Sequence, residues 1–243
     1  MRLALSTAFC FILCEPALAY RPFDSTDADV AAPGEVEIEF GPVAYIDEPH
    51  ASITKTPVMT LNVGLPKDWE LVVDAERAVT RAPATPDDET FDTAVQLKHV
   101  VHAGSLQERS GWSFATEFGA LLPDDNEEDH YGVTAALIGS LRLEQLTVHC
   151  NVAAARNRAG HGEWFGGIIL EGNTARPVRP VAEARIEHEA GSDTSAYSSL
   201  LGAIWERSDN LSFDVALRGI REEGSWSYEG RIGLTWSFEF ARM

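Results

Sequence analysis

Charged side chains recur at every second position in several stretches of this 243-residue chain, with apolar side chains between them. In one such stretch, Leu71, Val73 and Ala75 alternate with Asp74 and Glu76. A period of two is typical of a β-strand with one apolar and one polar face. If the apolar faces meet lipid, the charged faces line the interior of a barrel, where an acidic lining favours cations over anions. The predicted lumen-facing residues are Glu70, Asp74, Glu76, Lys98, Glu117, His149, Glu171, Arg185, Asp214, Arg218, Glu229 and Arg231.

A second interpretation of the same residues stays open at this point. Acids and arginines that are neighbours on the last strands, such as Glu229 and Arg231, suit ion pairing. A barrel of about twelve strands lies between eight-strand barrels filled by side chains and wide, open porins. The predicted interior is therefore either a polar pore or a lumen closed by internal salt bridges.

The sequence shows no constellation for catalysis or metal binding. His149 is followed two residues later by Asn151, where outer-membrane phospholipases need a Ser nucleophile, so a nucleophile and its base are not paired. His99 and His102 belong to one strand end and point to opposite faces. The acidic stretch 124–129 lacks the ligand spacing of an EF-hand and is interpreted as a solvated loop. We expect no enzymatic activity, no catalytic residue, no metal and no cofactor.

The elements that would position the charged residues are strands. A strand needs about ten tilted residues to cross a bilayer, longer than the usual strand of about five to six. The predicted fold class is all-β, an antiparallel transmembrane β-barrel of about twelve strands. The predicted strands are residues 35–46, 56–65, 69–80, 90–101, 111–122, 131–141, 143–156, 163–172, 181–191, 196–207, 211–222 and 225–240.

Aromatic residues near strand ends favour a membrane barrel, since such barrels carry aromatic girdles at both interfaces. The final strand also ends almost at the C-terminus, as is common in bacterial outer-membrane barrels. The competing interpretation is a soluble periplasmic β-sandwich or barrel, in which the apolar faces would form a core. The predicted lipid-interface aromatics are Trp69, Trp112, Trp226, Trp236 and Phe238.

The N-terminal region predicts export and a lead-in to the barrel. Residues 1–19 have the basic start, apolar stretch and small-residue site of a cleaved signal peptide. Residues 20–34 are Asp-rich, contain Pro22 and Pro33, and are predicted to form an extended periplasmic segment, followed by the barrel at 35–243. The net charge of -19 argues against nucleic-acid partners.

Two stretches resemble a known family. The run from Arg21 to Asp29, followed by Pro33-Gly34-Glu35, is similar to the opening of outer-membrane proteins of the "MetA-pathway of phenol degradation" group. Residues 233–238 resemble the last strand of those proteins. The resemblance implies an outer-membrane barrel and passage of small aromatic or apolar compounds. This chain departs from the family because residues 239–243 follow Phe238, where family members commonly end.

These observations together predict a passive channel or transporter for small molecules in the outer membrane of a Gram-negative cell. The alternative is a non-conducting structural or binding barrel closed by internal salt bridges. The expected partners are outer-membrane lipid and lipopolysaccharide, the barrel-assembly machinery and a small-molecule cargo.

Overall fold

A computed structural model describes residues 21–83, 85–123, 130–192 and 194–240. The predicted signal peptide 1–19, the acidic stretch 124–129 and the terminal residues 241–243 lie outside the described residues. The predictions for these residues stay predictions.

The described residues form twelve antiparallel strands that close into one barrel, because β1 pairs with β12 as well as with β2. The predicted fold class of an all-β antiparallel barrel is confirmed. The strands are β1 Glu35–Asp47, β2 Ser52–Leu65, β3 Trp69–Arg81, β4 Asp88–His102, β5 Ser113–Leu121, β6 Gly132–Arg142, β7 Leu146–Arg156, β8 Gly162–Gly172, β9 Val178–Glu189, β10 Ala196–Ser208, β11 Leu211–Glu222 and β12 Ser225–Glu239.

β2 and β9 begin four and three residues earlier than predicted because each continues through a proline. β2 begins at Ser52, and its pairing with β3 shifts register between Lys55 and Val58. This irregularity accommodates Pro57, which has no N–H to donate to a ladder. β9 begins at Val178 and includes a proline near its start. In the other direction, β7 begins three residues later than predicted, after a turn over residues 143–145.

The outer surface of the barrel is apolar. Large apolar side chains point outward along the middle of the strands, including Leu137 (66% exposed), Leu201 (70%) and Leu217 (71%). Their neighbours in sequence point inward and are buried, as Leu200 (1% exposed) beside Leu201 shows. An apolar belt around a charged interior is the arrangement of a membrane barrel, since monomeric soluble proteins rarely expose large apolar patches. No helix in the described part of the chain is long and apolar enough to span a bilayer.

The predicted interface aromatics lie on this outer surface near strand ends. Trp69 begins β3 and stacks on His99, with ring centroids 4.3 Å apart. Trp236 and Phe238, 4.9 Å apart, lie near the end of β12, whereas Trp226 lies near its start. The residue before β5, Trp112, stacks on Phe114 at 6.2 Å. Aromatic rings therefore occur toward both ends of the barrel.

Replacing Leu217 with Arg tests whether the outer surface meets lipid. Leu217 lies in the middle of β11, where a charge would be forced into hydrocarbon at a cost of about 2–4 kcal/mol. We expect Leu217→Arg to lower the free energy of unfolding by this amount, measured by urea titration of the barrel in lipid vesicles. Leu143→Arg, in the exposed turn 143–145, is the matched control and should change stability little. Equal effects at the two positions would mean that the belt faces water.

Candidate functional site

Residues 21–31 lie inside the barrel, and the exposed residues 32–34 join them to β1, whereas the sequence predicts an extended periplasmic position for this stretch. Phe23 is 2% exposed, and Ser25 and Ala28 are fully buried. The chain passes round the inner wall, contacting Asp214 of β11, Glu183 of β9 and Asn151 of β7, and then β6, β4 and β3, before it enters β1. We call residues 21–34 the luminal segment. The physical reason for its placement is that the wall supplies partners for its backbone.

Side chains of the wall accept hydrogen bonds from the backbone N–H groups of the luminal segment. A buried N–H must find an acceptor, and this segment forms no strand ladder that would supply one. The acceptors, each with its donor residue, are Glu39 (Arg21, 2.9 Å), Glu183 (Ser25, 2.9 Å), Asn151 (Thr26, 3.2 Å), Ser140 (Ala28, 2.9 Å) and Glu70 (Ala31, 2.8 Å). The wall therefore binds the path of the backbone itself.

Two apolar clusters inside the lumen hold side chains of the luminal segment. Phe23 packs with Ile169, Val181, Leu200, Ile204 and Ala216. Ala28 packs with Leu106, Ala115, Ala136, Ile138, Ala153 and Phe165. These lumen-facing residues were missed from sequence, because the inward face was identified by its charges. Leu200 and Ile204 are four positions apart on β10 and so share one face of the strand, which was the sequence signal of this apolar patch.

The long connection between β4 and β5 packs against the luminal segment at Ala28 and Asp29. It contains a short 3-10 helix, Ser105–Gln107, whose Leu106 is buried in the Ala28 cluster. Gln107 Nε2 donates to the Ala28 carbonyl oxygen and to Asp29 Oδ1, both at 2.9 Å. This contact explains why the connection is longer than an ordinary inner turn.

Arginines on β9, β11 and β12 surround one carboxylate of the luminal segment. Asp24 pairs with Arg185 at 3.0 Å, with Arg231 at 2.7 Å and also with Arg218. Glu229 bridges the last two arginines, at 3.3 Å from Arg218 and 2.7 Å from Arg231. This side of the lumen is a network in which each of these charges has an opposite partner. The predicted pairing among the last strands is therefore present in the structure.

A chamber with excess negative charge lies on the other side of the luminal segment, against β1 to β5. Its volume is about 210 Å³, and it is partly open. Lys98 is the basic residue of its lining and approaches Asp27 at 3.3 Å and Glu70 at 3.9 Å. Burial raises the pKa of Asp29, and the neighbouring Asp27 carboxylate raises it further. The lumen thus has a neutralised side and an acidic side.

His149 contacts groups that the sequence analysis did not bring together. Its Nδ1 lies 2.8 Å from Ser140 Oγ of β6, and its Nε2 lies 3.5 Å from a carboxylate oxygen of Glu171. The set has the composition of a nucleophile, a base and a carboxylate. Ser140 is fully buried, however, and its Oγ accepts the hydrogen bond from Ala28 N–H. In this arrangement the Ser140 hydroxyl supports the backbone of the luminal segment.

All twelve predicted lumen-facing residues lie on the inward face of their strands. Ten of them are buried, whereas Glu76 and Arg231 are partly exposed. Glu76 pairs with Lys55 at 3.0 Å. Sequence reasoning missed Arg21, which binds Asp214 at 3.1 Å, because it belongs to the segment placed outside the barrel. The ten buried residues are Glu70, Asp74, Lys98, Glu117, His149, Glu171, Arg185, Asp214, Arg218 and Glu229.

Comparisons with known proteins support the same architecture. No family profile matches the sequence, and no curated protein is similar to it at a significant level. Among solved structures, the COG4313 outer membrane channel from Pseudomonas putida F1 superposes with a TM-score of 0.68 at 8% identity, over 89% of this chain and 100% of that one. The chain has the fold of an outer-membrane β-barrel.

Two porins share this outer-membrane fold. The NanC porin has a TM-score of 0.58 at 8% identity, over 83% of this chain and 98% of its own. The KdgM porin has a TM-score of 0.53 at 12% identity, over 84% of this chain and 99% of its own. At such low identity the similarity establishes the fold of the barrel, and it does not confirm the resemblance to the phenol-degradation group.

Replacing Phe23 with Ala tests how strongly the apolar cluster holds the luminal segment. The change removes a buried aromatic side chain, which costs about 3–5 kcal/mol in a protein core. We expect the segment to be released more often, so that a cysteine at the buried Ser25 position is labelled by a water-soluble maleimide more than about a hundredfold faster. Phe23→Leu, which keeps most of the packing, should change the rate far less. Unchanged labelling in Phe23→Ala would contradict the anchoring role.

Proposed function

We propose that this protein is an outer-membrane channel for small molecules, whose lumen is occupied by its own luminal segment. The observation that carries the proposal is the way the segment is held. Its backbone bonds to wall side chains, so it can leave while the strand ladders stay intact. Elements with few ladder bonds open at lower free energy than the strands around them. Passage of solute then requires the luminal segment to shift or leave.

The proposed location is the outer membrane, in contact with lipid and lipopolysaccharide. The apolar outer belt and the aromatic rings near the strand ends support it. The barrel-assembly machinery is the expected partner during insertion, and Phe238 and Phe240 near the end of β12 are the candidate terminal aromatics. No enzymatic role is proposed.

For the cargo, we propose small molecules with an aromatic or apolar part, as the resemblance to the phenol-degradation group implies. The support within the structure is the cluster that receives the aromatic ring of Phe23. When Phe23 leaves, this cluster presents an apolar surface of matching shape inside an otherwise charged lumen. Membership of that group remains part of this proposal.

A second function, a permanently closed structural barrel, is favoured by one observation. Asp24 is bound by three arginines, and separating buried charges from their partners costs about 3–5 kcal/mol. If this network never opens, the barrel conducts nothing. The two functions differ in whether the luminal segment moves, which a reversible lock can test.

A disulfide between positions 25 and 167 should lock the luminal segment to β8. A β-carbon on Gly167 would lie 3.4 Å from the β-carbon of Ser25, close to the separation that a disulfide spans. We expect Ser25→Cys/Gly167→Cys, in a Cys150→Ser background, to be silent in planar bilayers when oxidised and to conduct after reduction. A cross-link worth about 2–4 kcal/mol lowers the population of the displaced segment by more than about tenfold.

The controls are the two single-cysteine variants, whose conductance should not respond to the reductant, and mass spectrometry to verify the cross-link. Equal conductance in the oxidised and reduced double variant would show that solute bypasses the luminal segment. A folded barrel that is silent in both states, together with a silent wild-type protein, would overturn the channel proposal in favour of the closed barrel.

A further inference from the structure

The acidic chamber beside the luminal segment is built from both the wall and the segment. Wall residues Glu37, Glu39, Glu70 and Glu117 line it, together with Asp27 and Asp29 of the segment. With Glu35 at the start of β1, seven carboxyl groups face one ammonium group, that of Lys98. On the opposite side of the lumen, arginines neutralise the acids. The chamber is therefore the part of the lumen in which carboxyl groups greatly outnumber cationic groups.

One buried carboxylate of the chamber has an oxygen without a protein partner. Glu117 is 3% exposed, and its Oε1 makes no hydrogen bond within the described residues. Lys98 is paired across the strands with Glu117, yet its ammonium lies against Asp27 and Glu70. Leaving a buried polar atom unsatisfied is costly, and native structures usually supply it with water, an ion or a ligand. The Glu117 carboxylate thus identifies where a bound cation would make its contact.

Other carboxylates of the chamber have spare acceptor capacity. Glu39 accepts from Asn62 Nδ2 and from Arg21 N–H, and Glu37 accepts from Ser237 Oγ, each at 2.9 Å. An ionised carboxylate has about four lone-pair sites, so each of these groups can accept further bonds. They lie on β1 and Glu117 lies on β5, so the chamber has acids on two strands that β2 to β4 separate.

The chamber also has an apolar surface and more space than one ion fills. Val30 of the segment and Val72 of β3 belong to the lining. A water molecule takes about 30 Å³ in the liquid, so a volume of about 210 Å³ holds a ligand of several non-hydrogen atoms. Acids on β1 and β5, with Val72 on the intervening β3, match a short alkyl chain that carries an ammonium group at each end.

We propose that this chamber is a binding site for short aliphatic diamines, with Glu117 accepting a hydrogen bond from one ammonium group. The Val30 and Val72 side chains contact the methylene chain, and carboxylates of β1 accept from the other ammonium. Binding goes beyond the channel function and does not depend on it, because the chamber exists in the closed arrangement.

Calorimetric titration of the folded, full mature barrel with putrescine tests the site. We expect saturable binding at one site per barrel, weakened by salt. Glu117→Gln keeps the size of the side chain and removes its charge, so it should weaken binding by at least about tenfold. Asp209→Asn, in the exposed turn between β10 and β11, is the matched control for loss of one acid and should bind as the wild type does.

Neutral and inorganic probes separate the outcomes. 1,4-Butanediol, of similar length and without charge, should not bind the wild-type barrel. Magnesium chloride at equal ionic strength should displace putrescine only as far as sodium chloride does. Absence of saturable putrescine binding to a folded wild-type barrel, or equal binding by Glu117→Gln, would overturn the proposal. Stronger displacement by magnesium would also overturn it and would indicate a metal site. The putrescine, butanediol and magnesium titrations use wild-type protein, so they test the proposal even if Glu117→Gln fails to fold, and none of them requires conductance.

Discussion

Three arginines share one carboxylate of the luminal segment, and the rest of the lumen is organised around this contact. Arg185, Arg218 and Arg231 project from three strands into a narrow space, where like charges repel strongly because little water screens them. Asp24 brings an acid between them from a segment that is covalently joined to the wall at the start of β1. Once Asp24 is in place, Phe23 and Ser25 on either side are directed toward the apolar cluster and Glu183.

The two sides of the lumen differ in their balance of positive and negative charge. On the side of β9, β11 and β12, acids and arginines alternate closely enough to cancel one another. On the side of β1 to β5, acids accumulate around Lys98. In the proposed channel, a solute would therefore meet a charge-balanced side and an acidic side of the lumen. This asymmetry would favour molecules that combine an apolar body with a positive group.

The sequence predicted the barrel well because its signal is local. Each strand carries its own alternation, and a shift of one residue would place its charges in lipid, so inward positions such as Asp214 and Glu117 follow from parity alone. Strand ends were less certain where a proline such as Pro57 sits within a strand. The apolar clusters were not predicted because the inward face was assigned from charged residues, and an apolar residue at an inward position lacks that signal.

The placement of the luminal segment was beyond reach of sequence reasoning. Its composition, rich in Asp with two prolines, is that of a solvated stretch. What draws it into the barrel is a set of partners distant in sequence, such as Glu183 for Ser25 and Asp214 for Arg21, 158 and 193 residues away. No local pattern contains that information. The role of Gln107 was equally hidden, because it depends on the position of the Ala28 carbonyl in the folded barrel.

These long separations also order the events of assembly. The luminal segment precedes every strand in the sequence, whereas Glu183, Asp214 and the arginines that bind it belong to β9 to β12. Its binding site is complete only after β12 has joined β1. We therefore expect the luminal segment to settle in the lumen only after β12 has paired with β1, so that an unclosed barrel leaves the segment unbound.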